Sequence, residues 1–364
     1  MTRPPFDLFC RVIDNYGDAG VCWRLAHQLA DMGCAVRLWI DRLDVLAQLL
    51  PELDPAGDGQ RIQGVEILPW YQAERASAPR GGVVIEAFAC MLPPAYEAGM
   101  AQQDCLWINL EYLSAEDWVA SCHGLPSPQA NGVPKYFYFP GFTSSTGGLL
   151  RESGLQARQV QAQATDRRMR LQALTGLAAD AMPPEARCVL LFAYPDAPLD
   201  GLRDTFARRQ TPTWLLVPGT PPPTLRSQGN LTVATIPFVP QARFDELLWC
   251  CDLNFVRGED SLTRAQWTGS PLVWQIYAQD DDAHRIKLEA WMQAAAWPEN
   301  IRALHRAWNG HDDDLMAQAL SAALEPKPWA DWAKCSERWS EKLHRSPDLA
   351  SRLVEFCQKK LQKS

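Results

Sequence analysis

The chain has 364 residues, 47% of them apolar and 21% charged, which is the balance of a folded protein and a length that favours two lobes over one core. Lys and Arg number 35 against 43 Asp and Glu, a net charge of −8. With no dense basic run, that argues against nucleic acid as the main ligand, because neutralising phosphates takes clustered cations.

Asp7–Ile13 (DLFCRVI) is a short β-rich run that ends in the polar loop Asp14-Asn15-Tyr16-Gly17-Asp18-Ala19-Gly20. Val21–Met32 then carries helical apolar spacing at Val21, Leu25, Ala26 and Leu29, with Gly33 as a terminating glycine. Cys34–Ile40 is predicted as the next strand. Strand, loop, helix, glycine and strand open a doubly wound α/β lobe. Further strands are predicted at Val65–Trp70, Gly82–Ala89 and Cys105–Leu110.

A polar, Arg- and Gln-rich helical stretch, Glu152–Leu174, and the Pro-containing segment Ala178–Ala186 precede a second series. Strands are predicted at Cys188–Ala193, Thr213–Val217, Leu231–Pro237 and Asp252–Val256, with a helix over Phe244–Cys251. The loop Arg257-Gly258-Glu259-Asp260-Ser261 leads into a helix from about Leu262 to Thr268. Trp329–Lys363 is predicted as an amphipathic helical stretch with Trp332, Trp339 and Leu343 on its apolar side. Two such lobes place a cleft between them, and loops at the carboxyl ends of strands face such crevices.

Two loops therefore stand out. The first, Asp14–Gly20, has carboxylates where a dinucleotide fingerprint would have glycines, so it suits a cationic or proton-donating acceptor better than a pyrophosphate. Simple helix capping by Asp18 is the plainer reading of the spacing by itself. In the second, Gly258 before a helix start supplies backbone N–H groups and a dipole for a diphosphate, while Glu259 and Asp260 must turn away from it. Capping is an equal alternative there.

Other signals are discounted. Asp280-Asp281-Asp282 and Asp312-Asp313-Asp314 sit in polar segments, and the six histidines, His284 and His311 among them, show no metal-binding spacing, so no metal site is expected. The 11 cysteines form no CxxC pair and are read as reduced, buried thiols. Met1–Phe6 lacks a secretion signal and no run of about 18 apolar residues occurs, so a cytoplasmic protein without membrane contact is expected. Most of the 15 tryptophans are assigned to packing.

Blocks along the whole chain carry a resemblance. They include Phe9-Cys10-Arg11-Val12-Ile13-Asp14-Asn15-Tyr16-Gly17-Asp18, Val84-Ile85-Glu86-Ala87-Phe88-Ala89-Cys90 and Asn109-Leu110-Glu111-Tyr112-Leu113-Ser114-Ala115-Glu116. Pro237-Phe238-Val239-Pro240-Gln241 and Arg257-Gly258-Glu259-Asp260-Ser261 follow in order. Together they resemble the EarP family of protein-arginine rhamnosyltransferases, which modify bacterial elongation factor P. The resemblance implies a GT-B glycosyltransferase fold, two Rossmann-like lobes facing a central cleft. It implies TDP-β-L-rhamnose as donor, inversion at the anomeric carbon, and no cofactor or metal. It also implies that the modified factor serves ribosomes stalled at polyproline.

On that basis residues 1–160 form an acceptor-side lobe, 161–186 a linker, 187–345 a nucleotide-sugar lobe, and 346–364 a helix returning to the first lobe. Asp18 matches the catalytic carboxylate and Asp14 a second essential acid. Tyr16, where Phe is expected in many relatives, and Gly17 fall beside them and are assigned to the donor. Phe192, Tyr194, Phe238 and Gln241 match the thymidine and phosphate site, and Arg257, Glu259, Asp260 and Ser261 the diphosphate and ribose loop.

Moving a guanidinium proton to an ordinary carboxylate spans roughly 9 pK units, about 12 kcal/mol, so Asp18 is expected to polarise the acceptor arginine while the proton leaves as the new bond forms. The competing readings are a different TDP-sugar or protein acceptor, a nicotinamide-dependent oxidoreductase, and a non-enzymatic adaptor for a translation factor.

Overall fold

The apolar runs become parallel strands because each is buried on both faces and so needs no polar alternation. The computed structural model describes residues 3–76, 80–278 and 282–362. The chain divides into two compact units, one formed by residues 1–153 with 346–364 and the other by 154–345.

The first unit is built on β1 (Phe6–Cys10), β2 (Val36–Ile40), β3 (Gln60–Ile62), β4 (Val65–Pro69), β5 (Gly82–Ala87), β6 (Cys105–Leu110), β7 (Pro126–Ser127) and β8 (Lys135–Tyr138). Their order is β3-β4-β2-β1-β5-β6-β8-β7, with only the outermost pairs, β3 with β4 and β7 with β8, antiparallel. The strand order reverses direction between β1 and β5. The second unit holds β9 (Arg187–Leu191), β10 (Thr213–Pro218), β11 (Leu231–Ile236), β12 (Leu253–Arg257) and β13 (Leu272–Gln275). This sheet runs β11-β10-β9-β12-β13, all parallel, and reverses between β9 and β12. Each unit is thus a doubly wound sheet with a switch point, where such folds bind ligands.

Several predicted boundaries move. Both candidate loops are helix after their first residue: Asn15–Asp31 begins six residues before the predicted Val21, and Gly258–Trp267 replaces Leu262–Thr268. Phe244–Cys251 is observed as Gln241–Leu248. The stretch taken for a linker, 161–186, belongs to the second unit, whose helices Leu155–Gln163 and Arg167–Thr175 include part of it. Its polar sequence hides how it is fastened: Arg167 donates to both Asp252 oxygens at 2.8 Å and to the Ala186 carbonyl at 3.2 Å.

Trp329–Lys363 is two helices, Pro326–His344 and Leu349–Leu361. Pro347 cannot continue the first, and Asp348 caps the second through Ser351 N at 3.0 Å. The second helix joins the first unit, where Asp348 also accepts from Gln28 at 2.7 Å and Leu349 N donates to the Leu149 carbonyl at 2.8 Å.

Tryptophan fills both cores. In the first unit Phe9 stacks on Trp39 at 5.8 Å and meets Trp70 and Tyr96 edge-on. Beneath them Asp7, 4% exposed on the central strand, accepts from Nε and Nη2 of Arg37 and from the Tyr96 hydroxyl. In the second, one amide oxygen of buried Gln266 accepts from the indoles of Trp291 (2.9 Å) and Trp339 (2.7 Å). The cysteines are free thiols. Among the described residues no helix is long and apolar enough to cross a membrane.

Candidate functional site

In the first unit the chain leaves β1 at the switch point and turns into the helix Asn15–Asp31. Asp18 lies in that helix's first turn and is 2% exposed. It does not cap in the usual forward sense. Its Oδ2 reaches back to accept from the N–H groups of Ile13 (2.8 Å) and Asp14 (2.9 Å), which precede the helix. Its other oxygen accepts from the Tyr112 hydroxyl at 3.2 Å.

Burial raises the Asp18 pKa, with the charge of Asp41 adding to it, while these three hydrogen bonds pull it down; the net effect is upward. A buried carboxylate with enhanced proton affinity is poised to take or share a proton. Asp14 stands at the N-cap position, half-buried, and its side chain makes no capping bond. A Cβ on Gly17 would stand 2.5 Å from Asp14 Oδ2, so glycine is what lets that carboxylate lie against the helix start. Tyr16 donates to Gln48 Oε1 at 2.8 Å, within the same unit.

In the second unit the remaining selected residues gather at the carboxyl ends of β9, β11 and β12. Phe192 and Tyr194 follow β9, Phe238 and Gln241 follow β11, and Arg257 ends β12. The Arg257 guanidinium lies over the rings of Phe192 (4.5 Å) and Tyr194 (4.8 Å) and donates to the Ala193 carbonyl at 2.9 Å. Phe192 and Phe238 are 6.5 Å apart, both half-buried, an aromatic surface suited to a planar base.

Gly258, at φ +63°, starts a ten-residue helix whose first turn contains Glu259, Asp260 and Ser261. The Ser261 hydroxyl accepts from Arg257 N at 3.1 Å and donates to the Arg257 carbonyl, so it holds the helix start rather than presenting itself to a ligand. Asp260 accepts from Gln241 at 2.9 Å. One turn further along the same two helices, buried Arg264 clasps Asp245 through two bonds of 2.7 and 2.6 Å. Gln241–Asp260 and Asp245–Arg264 are two rungs of one ladder that fixes the helix N-terminus beside the aromatic pair.

Residues given no role in the sequence analysis complete both groups. Tyr112 touches Asp18 across 94 positions. Gln275 on β13 accepts from Tyr194 N at 2.7 Å and donates to Asp196 at 3.0 Å, while Tyr277 meets Tyr194 edge-on at 5.8 Å. A cavity of about 270 Å³ opens against Tyr194, Gln275, Tyr277, His284 and His311. A larger one of about 720 Å³, in the first unit, is lined by Arg11, Trp70, Glu86, Trp107 and Lys135 and by none of the selected residues. Among the described residues no cluster of three His, Cys, Asp or Glu could hold a metal ion. Asp312 caps the helix Asp313–Ala323, and Asp280 and Asp281 lie outside the described residues.

Two doubly wound units, with candidate residues at each switch point, are those of a GT-B glycosyltransferase. A solved structure of the calicheamicin glycosyltransferase CalG4 shares the fold at 13% identity, TM-score 0.55, covering 100% of this chain and 99% of that one. The chain belongs to the family described as Elongation-Factor P (EF-P) rhamnosyltransferase EarP, which matches residues 6–358. It is 46% identical to the protein-arginine rhamnosyltransferase of Pseudomonas putida, over 99% of this chain and 100% of the relative. It is also similar, at 33% identity and TM-score 0.66, to a solved structure described as the structural basis for EarP-mediated arginine glycosylation of translation elongation factor EF-P; the match covers 98% of this chain and 99% of that one.

Proposed function

We propose that this protein-arginine rhamnosyltransferase takes L-rhamnose from TDP-β-L-rhamnose and places it, with inversion and without a metal, on an arginine of elongation factor P. The observation that carries the chemistry is Asp18, buried at the first switch point with its pKa raised. The acceptor assignment rests on membership of the family, and an elongation factor as acceptor implies work in the cytoplasm.

Asp18 receives the guanidinium and draws off its proton as the C–N bond forms. Its raised proton affinity narrows the gap that an exposed carboxylate would face. Asp14 adds negative field beside it. On the donor side, Phe192 and Phe238 take the thymine, and the N–H groups opening the helix at Gly258, with Arg257, meet the charge that develops on the departing diphosphate. Asp260 and Glu259 face the ribose hydroxyls.

Intact-mass spectrometry of unmodified elongation factor P, incubated with this protein and TDP-β-L-rhamnose in the presence of EDTA, tests the whole reading. A gain of one deoxyhexose, mapped to one arginine, is expected. No gain, with TDP bound and the protein folded, would remove the acceptor assignment.

Two variants test the parts. Gly17→Ala is expected to swing the Asp14 carboxylate aside and lower kcat about tenfold, with the melting temperature unchanged or slightly higher, since alanine suits a helix better. Unchanged kinetics would show that the position of Asp14 does not matter. The Glu259→Ala, Asp260→Ala double variant is expected to weaken TDP binding by roughly 10- to 100-fold in titration calorimetry, the worth of one or two charge-assisted hydrogen bonds. Normal affinity would take both side chains out of the donor site.

A further inference from the structure

Asp18 is gripped from three directions, and the most distant grip comes from Tyr112. The Tyr112 ring lies flat on Phe88, centroids 4.2 Å apart and planes 9° from parallel, which fixes where its hydroxyl points. Phe88 in turn is delivered by an unusual piece of backbone. Phe88, Ala89 and Met91 have φ of +56°, +52° and +53°, the left-handed region that residues with a Cβ avoid. Such a turn persists only where its surroundings over-determine it.

Those surroundings are two buried polar residues of the neighbouring strands. Glu86, 1% exposed on β5, accepts from Met91 N at 2.8 Å and is itself held by Lys135 at 3.0 Å. Asn109, 3% exposed on β6, accepts from Ala89 N at 3.2 Å and donates to Glu111 at 2.5 Å. Phe88 N donates to the Leu110 carbonyl at 2.7 Å, and the Cys90 thiol reaches the Phe9 carbonyl at 3.5 Å. The turn is thereby tied to β1, β5 and β6 at the switch point where Asp18 lies.

We propose that Tyr112 is a positioning residue for Asp18, and that the strained turn 87–91 exists to present Phe88 as the plate on which Tyr112 is aligned. This rests on the reading of Asp18 as the group that engages the acceptor guanidinium. Tyr112 fixes the carboxylate against rotation about its last bond and favours its ionised form.

The titratable groups around Asp18 include Asp14 at the N-cap of its own helix, Asp41 beyond β2, Cys10 at the end of β1 and Tyr112 beyond β6. The Tyr112 hydrogen bond lowers the Asp18 pKa, alongside the backbone N–H groups of Ile13 and Asp14, whereas Asp41 raises it. Removing the Tyr112 hydroxyl therefore raises that pKa, and the acid limb of the rate profile moves to higher pH.

The test compares Tyr112→Phe, Phe88→Ala and Asp18→Asn with the parent chain, using TDP-β-L-rhamnose and elongation factor P. Tyr112→Phe keeps the stacked ring and loses only the hydroxyl. It is expected to lower kcat about tenfold with KM for both substrates little changed, and to shift the acid limb of kcat upward in pH. Phe88→Ala should move the limb the same way. Circular dichroism across the same pH range separates this shift from acid unfolding, which would also lower the signal of the folded state.

A Tyr112→Phe enzyme with unchanged kcat and an unmoved limb, beside an inactive Asp18→Asn, would overturn the positioning role and leave the reading of Asp18 standing. An active Asp18→Asn would overturn that reading, and the positioning role with it.

Discussion

Asp18→Asn is expected to lower kcat by about 10²- to 10⁴-fold while TDP affinity stays at the parent value. The asparagine oxygen can still accept from Ile13 N, Asp14 N or Tyr112, so the local hydrogen bonds and the helix start largely survive the change. What disappears is the negative charge and the capacity to take a proton. The residues proposed to hold the nucleotide between Phe192 and Ser261 belong to the other unit of the chain, which is why nucleotide binding is the internal control. Single-turnover rates beside TDP titration check this; near-normal turnover with intact binding would sink the role given to Asp18.

Arg264→Ala is expected to cost about 3–5 kcal/mol of folding stability, read as a fall in the urea midpoint. Arg264 is 1% exposed and Asp245 4%, so deleting the guanidinium strands a carboxylate where water cannot reach it. Replacing both partners with apolar residues of similar size, Arg264→Met with Asp245→Leu, should recover most of the loss, because the expense lies in the abandoned charge and not in the absent attraction. The single variant should also weaken TDP binding. Arg264 and Asp260 lie one turn apart on one helix, Asp245 and Gln241 one turn apart on another, and loosening one rung loosens the other. An unshifted midpoint for Arg264→Ala would refute this account.

The strands were the most legible part of the fold. Cys105–Leu110 is observed residue for residue, and Thr213–Val217 and Leu231–Pro237 end within one residue of β10 and β11. Apolar runs bounded by turn residues suffice for that. The start of Asn15–Asp31 is hidden in the sequence because Asn, Gly and Asp are weak helix formers, and propensity there is overridden by burial of Ala19 and Val21 and by the backward reach of Asp18. Likewise Phe88 and Ala89 looked like the end of a strand, whereas their backbone is left-handed.

At the site, the resemblance selected Asp14, Asp18 and the loop 257–261 as blocks, and the structure adds what each block is attached to. Tyr112 and Gln275 could not be found from pattern, since a hydrogen bond spanning 94 or 81 residues leaves no periodic trace. Ser261 shows the opposite case: a residue type suited to phosphate whose hydroxyl is occupied by its own helix start.

The helix Leu349–Leu361 returns to the unit that begins the chain, donating from Leu349 N to Leu149 and accepting from Gln28 through Asp348. Synthesis runs in one direction, so that unit emerges from the ribosome lacking one of its own layers. At the usual elongation rate, roughly 10–40 s pass while the whole of the second unit is made. During that interval the surface of Asn15–Asp31 that awaits the late helix is open to water and to wrong partners. The packing of Asn15–Asp31, the helix that carries Asp18, is therefore completed only when Leu349–Leu361 has cleared the tunnel.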